Sequence, residues 1–189
     1  EHVRALALQI ESGQLQDGDT LVRCIRDFYS ADQSALIEGV APGWLDMAAY
    51  ADGATRNHIT QVLIALQLLP EYRHASRHLQ ALLEWTVLFH DLGKQVIGGQ
   101  RDALHAFRSA TMAARALPSM GFPVTAAYPA KIEPWTRQVL GASVAAADGK
   151  GLVQDNRVLP EILRGIDELF GVDAAASLIV QAAMLHQSL

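Results

Sequence analysis

The chain has 189 residues, half of them hydrophobic, with 6% aromatic residues and a formal net charge of -5. That length suits one domain with a substantial core, and abundant alanine and leucine with few aromatic residues favour helices over a β-sandwich. The acidic balance leaves no electrostatic footprint for long nucleic acid, no run approaches the roughly 18 apolar residues of a membrane span, and the single cysteine, Cys24, closes no internal disulfide.

Residues 1–30 read as two short helices around a turn. Val3, Leu6, Ala7 and Ile10 form one stripe, which Gly13 and Asp17-Gly18-Asp19 interrupt. Asp19 or Thr20 is expected to cap a second helix carrying Leu21, Cys24, Ile25 and Phe28, with Cys24 in the core. Pro42-Gly43 and Asp52-Gly53 mark bends. A helix is then predicted over 55–69, ended by Pro70, with Ile59, Val62, Leu63, Leu66 and Leu69 on its apolar face and His58 on the edge of that face. His74 and His78, between Arg73 and Arg77 and beyond, read as solvent-facing in a polar linker.

The next predicted helix covers 76–91. Leu79, Leu82, Leu83, Thr86 and His90 recur at spacings of three and four, and Gly93 reads as the stop signal. Asp102 is expected to N-cap a helix over 103–117, with His105, Ser109, Met112 and Ala116 on one side. Within 123–157 one helix is expected over 135–147, followed by a turn at Asp148-Gly149-Lys150-Gly151. Helices over 160–170 and 173–188 complete the chain, the last with Ile179, Ala182, Ala183 and His186 on a common side, Asp173 as its N-cap and Asp167 on a solvated face of the helix before it. The pattern is an all-α helical bundle. It divides into an N-terminal helical segment, 1–54, packing on a core at 55–189, with 123–157 as an insertion. The start at Glu1 and the stop in an apolar stretch at Leu189 point to a piece of a longer chain with further domains.

Four predicted helices each set a histidine on or beside an apolar face: His58, His90, His105 and His186. Buried imidazoles need partners, and the adjacent Asp91 is costly to bury beside His90 unless a cation compensates it. Imidazole with carboxylate suits a divalent transition metal.

His58, then His90-Asp91-Leu92-Gly93-Lys94, then His105 with Ser109-Ala110, then Leu185-His186, resembles the HD-domain superfamily of helical, metal-dependent phosphohydrolases. The resemblance covers about residues 55–120 and, more loosely, 160–189. It implies that His58, His90 and Asp91 hold a principal ion, and that His105 and His186 hold a second one with Asp91 bridging. Manganese, nickel, magnesium, iron and zinc are the implied ions, one or two of them. Lys94 falls where the family has a lysine near substrate phosphate; Arg101 and Arg108 are further candidates for phosphate contact, and a C-terminal lysine complementing the helix dipole is the alternative reading of Lys94. The family's late aspartate is expected beyond Leu189, since Asp148 and Asp155 precede His186.

The expected activity is metal-assisted hydrolysis of a phosphoester in a nucleotide or other small phosphorylated molecule, in the cytoplasm. Asp91 would orient a metal-bound water and Lys94 would offset phosphoryl charge. The alternatives are a non-catalytic sensory or scaffold module and an HD-type di-iron oxygenase. No Gly-Tyr-Pro segment of the cyclic-dinucleotide branch is present.

Overall fold

The computed structural model describes residues 1–40, 54–95, 102–147, 149 and 151–186. Among them the chain is almost wholly helical, as the composition predicts, and its contacts group into two compact units, Glu1–Leu88 and Phe89–Leu189. No helix among the described residues is long and apolar enough to cross a membrane.

The first unit holds α1 (His2–Glu11), α2 (Gly18–Phe28), α3 (Ala31–Val40), α4 (Ala54–Leu68), α5 (Pro70–His74) and all but the last residue of α6 (Arg77–Phe89). The cap of α2 is Asp17, not Asp19 or Thr20. Its carboxylate accepts from the Thr20 backbone N–H at 2.7 Å, satisfying a donor that the first turn leaves open. Leu6, Ala7, Leu15, Ile25 and Ile64 form the core here, with Leu21 and Leu68 against it; Cys24 packs there too, only half buried. The buried side of α4 is Thr55, Ile59, Thr60 and Ile64, rotated from the predicted stripe, and Leu69 is exposed. Thr60 sits inside because the helix can satisfy it: its Oγ1 donates to the Arg56 carbonyl at 2.9 Å. Pro70 opens α5 rather than merely ending α4. His74 and His78 are exposed, as read from the sequence.

In the second unit, α7 (His105–Ala116) is followed by a 3-10 turn at Leu117–Met120, α8 (Tyr128–Gly141), a hairpin of β1 (Ser143–Ala145) and β2 (Leu152–Gln154), a 3-10 turn at Asn156–Val158, α9 (Leu159–Phe170) and α10 (Ala175–Leu185). The predicted helix over 135–147 is corrected in two ways. It starts earlier, at Tyr128, with Pro129 in its first turn where no N–H is needed and Pro134 inside it. It ends at Gly141, and the next residues pair antiparallel, Val144 opposite Val153. Strands of three residues are too short to show a period of two. The N-caps also differ from expectation: Leu104 precedes α7 and Ala174 precedes α10, while Asp173 takes a left-handed φ of 57°.

Small residues let the helices of this unit approach closely. The buried side of α7 includes Ala106, Ser109, Ala110, Ala113 and Ala114, and that of α10 includes Ala176, Ser177 and Ala183. Between α8 and α9 the Trp135 ring lies over Gly165, and its Nε1 donates to the Ile162 carbonyl at 3.0 Å. A Cβ at 165 would stand 2.4 Å from Trp135 Cδ1. Gly165→Ala should therefore destabilise the protein by roughly 1–3 kcal/mol, the usual cost of forcing a methyl into a packed core. Urea unfolding followed by circular dichroism measures it, and an unchanged midpoint would contradict this packing.

Candidate metal centre

The helix α6 ends in Phe89, which has no exposed surface, and the chain turns through His90-Asp91-Leu92-Gly93. Leu92 is likewise fully buried. These two side chains anchor the turn in the apolar core and carry the intervening Asp91 inside, where it is only 3% exposed.

Gly93 is not the helix stop it was expected to be; it is a contact point. A Cβ there would lie 2.5 Å from both Arg108 Cβ and the Ser109 backbone nitrogen. Only glycine allows the turn to press this closely on α7. The contact is hydrogen-bonded on both sides: Gly93 N–H donates to Ser109 Oγ at 2.9 Å, and Arg108 Nε donates to the Gly93 carbonyl at 2.8 Å. Docking at Ser109 brings Asp91 to His105, one helical turn earlier.

Five of the predicted residues meet here. Asp91 Oδ1 lies 3.0 Å from His105 Nε2 and 3.3 Å from His186 Nε2, and the two imidazole nitrogens are 3.1 Å apart. Asp91 Oδ2 faces Lys94 Nζ at 3.2 Å and His90 Nε2 at 3.6 Å. His90 and His186 meet edge to face with centroids 5.3 Å apart.

The tautomers follow from the other ring nitrogens. His105 Nδ1 bonds the Asp102 carbonyl and His186 Nδ1 bonds the Ala183 carbonyl at 2.7 Å. Carbonyl oxygens only accept, so both Nδ1 atoms carry the proton. In the neutral rings both Nε2 atoms then present lone pairs to each other and to a carboxylate oxygen. Three acceptors facing one another repel unless a positive charge lies among them. Burial pushes the Asp91 carboxyl up most strongly as a single influence, yet with protonated imidazoles at His105, His186 and His90 their hydrogen bonds and charge outweigh it and hold it well below the usual carboxylate range. The electrostatics favour an ionised Asp91.

The donor set fits a divalent ion. Nitrogen and oxygen ligands at about 2.0–2.2 Å from an ion stand about 3.0–3.5 Å from each other, and the three contacts measured here fall in that interval. Imidazoles with Nδ1 bound to a carbonyl are in the state that metal-ligating histidines adopt. Asp91, His105 and His186 therefore form a group able to hold a metal ion.

His58 is exposed on α4 in the first unit. Lys94 is about half exposed beside Asp91. Arg108 is held by the Gly93 carbonyl and by an ion pair with Asp102. Arg101 and Asp148 lie outside the described residues. Asp155 caps the turn at Asn156–Val158 and pairs with Arg157, while Asp167 is not simply solvated: it accepts from Gln181 Nε2 at 3.2 Å. Family models, curated proteins and solved structures returned no match to the chain.

Sequence reasoning took Asp102 for a helix cap, but it is a buried hub. Its carboxylate accepts from Gln95 N–H at 2.8 Å, from Leu104 N–H at 3.3 Å and from Arg108, while its carbonyl orients His105. Burial raises its carboxyl most as a single influence, and the bonds from Arg108 and Gln95 outweigh that, so its pKa lies below the ordinary value. No sequence pattern announces a backbone carbonyl as a ligand's partner.

Asp102→Asn should cost roughly 2–3 kcal/mol, less than a fully buried pair because Arg108 is partly exposed. A depressed carboxylate stabilises above its unfolded pKa of about 3.9 and loses that contribution as pH falls through the lower folded value. The stability gap between wild type and the asparagine variant should thus be full at pH 6 and narrow toward pH 2–3; a gap independent of pH would remove the ion pair from the explanation. Separately, His105→Ala and His186→Ala should each strip bound divalent metal from purified protein, read by elemental analysis against wild type.

Proposed function

We propose that the chain is a metal-dependent phosphohydrolase of the HD-domain type, acting on a nucleotide or another small phosphorylated molecule. The observation that supports this most is the convergence of Asp91 Oδ1, His105 Nε2 and His186 Nε2 at 3.0–3.3 Å, with Lys94 against the other Asp91 oxygen. His90 and Asp91 with His105 and His186 would hold the ion or ions, and the sequence resemblance adds His58 to the ligand set. When bound, a divalent ion polarises a phosphoryl oxygen and lowers the pKa of a coordinated water.

The chain's own residues have separable roles in this reading. Asp91 has two usable oxygens facing different partners, the arrangement a bridging or water-orienting carboxylate needs. Lys94 is close enough to Asp91 to be fixed by it and exposed enough to reach an incoming phosphate, where its charge would offset that developing on the phosphoryl oxygens. Arg108 serves the phosphate only indirectly in this scheme, because its guanidinium holds the turn that carries Asp91. The acidic net charge fits a small anionic substrate steered locally better than a long polyanion.

Purified protein should contain a stoichiometric divalent metal and hydrolyse generic phosphoesters when supplied with manganese, nickel or magnesium. Asp91→Ala should lose both metal and turnover, by more than the roughly 10–100-fold that outer-sphere partners cost. His58→Ala should lower metal content as well. Unchanged turnover in the Asp91→Ala protein would sink the hydrolase reading. Oxygen consumption by iron-loaded protein without phosphatase activity would favour the oxygenase chemistry, and a metal-free, inactive chain would favour a sensory module.

A further inference from the structure

The first unit carries a separate concentration of chemistry. Arg4 on α1, Arg73 on α5 and Arg77 on α6 line a cavity of about 300 Å³, together with Gln67, Tyr72 and Gln80. Arg73 is fixed by a bidentate pair with Glu11, at 2.9 and 3.1 Å, and by donation to the Gln67 carbonyl. Among the described residues no carboxylate pairs with Arg4 or Arg77, and no acidic residue lies in the first turn of α6, which Arg77 opens. An arginine at that position adds to the positive end of the helix dipole instead of offsetting it. Glu11 offsets the charge of Arg73, and Arg4 and Arg77 leave the cavity with a net positive lining.

A second cavity, of about 510 Å³, shares Arg4 and Gln67 with the first and extends to Leu63, Trp85 and Leu88. Its polar edge is Glu1 and Glu84, the latter held in place by the Tyr72 hydroxyl, which donates to Oε1 at 2.5 Å, and by Gln67 Nε2 at 3.2 Å. Sharing Arg4 and Gln67, the two cavities set a cationic end beside an apolar, aromatic end. Arginine forks match phosphate oxygens, and an indole with leucines suits a planar ring. Both volumes are within or near the size range of small-molecule sites.

We propose that this pair of cavities binds a nucleoside diphosphate, with its phosphates on Arg4, Arg73 and Arg77 and its base against Trp85, Leu63 and Leu88. All of these residues belong to the first unit, so the site stands or falls independently of the metal centre. Its short, two-ended form fits a mononucleotide rather than a nucleic-acid strand, which tracks an extended basic groove.

Isothermal titration calorimetry on the full chain in EDTA tests this, with ADP, adenosine and pyrophosphate as probes. ADP should bind at least about tenfold more tightly than either fragment, since it alone engages both ends. The double variant R4Q/R77Q should reduce ADP to the level of adenosine, and Trp85→Ala should reduce it to that of pyrophosphate. Both arginines are exposed, so the double variant remains decisive if Trp85→Ala fails to fold. ADP binding no tighter than pyrophosphate overturns the proposal, as does unchanged ADP affinity in R4Q/R77Q. ADP binding lost in His105→Ala but kept in R4Q/R77Q also overturns it, because that places the nucleotide at the metal centre.

Discussion

A side chain that is absent sets the geometry of the candidate metal centre. Because residue 93 is glycine, the turn after α6 can lie against the backbone of α7, and the Ser109 hydroxyl and Arg108 guanidinium bind its N–H and carbonyl. That contact fixes Asp91 relative to His105 to within hydrogen-bond distance. Asp102 then reinforces it twice, through the ion pair that holds Arg108 and through the carbonyl that holds His105. The candidate ligands are therefore positioned by backbone and by residues outside the set, which is how metal sites gain their precision.

The sequence made the helical class and most helix positions legible, because the 3.6-residue period is sampled several times in each of α4, α7, α9 and α10. It also made four histidines stand out, and three of them, His90, His105 and His186, surround Asp91 in the second unit. Histidine on an apolar face is readable because its burial conflicts with its chemistry. Gly93 was readable as special, although the reason assigned was wrong: a stop signal and a close approach both demand glycine, and spacing alone does not distinguish them.

What stayed illegible has a common cause. The hairpin at Ser143–Gln154 is too short for periodicity, so composition alone suggested more helix. The cap of α2 lies two or three residues before the expected one, since Asp17, Asp19 and Thr20 are all good caps and only the φ/ψ at each decides. Asp102 acts partly through its carbonyl, a group every residue possesses. Rotation of the α4 face reflects tertiary packing that lets Thr55 and Thr60 inside while leaving Leu69 out.

The bonds from the histidine Nδ1 atoms to carbonyls three residues earlier carry a last implication. His186 caps α10, and the carbonyl it holds belongs to Ala183 in that helix's final turn. Fraying of that turn would release the acceptor and the imidazole together, so ligand geometry and helix length at this end are one variable. A cation gripping His186 would thereby extend the cooperative folding unit to the last turn of α10, and its departure would return that turn to local opening. The helix end is in this sense a reporter of the ion, readable by amide exchange at its last residues.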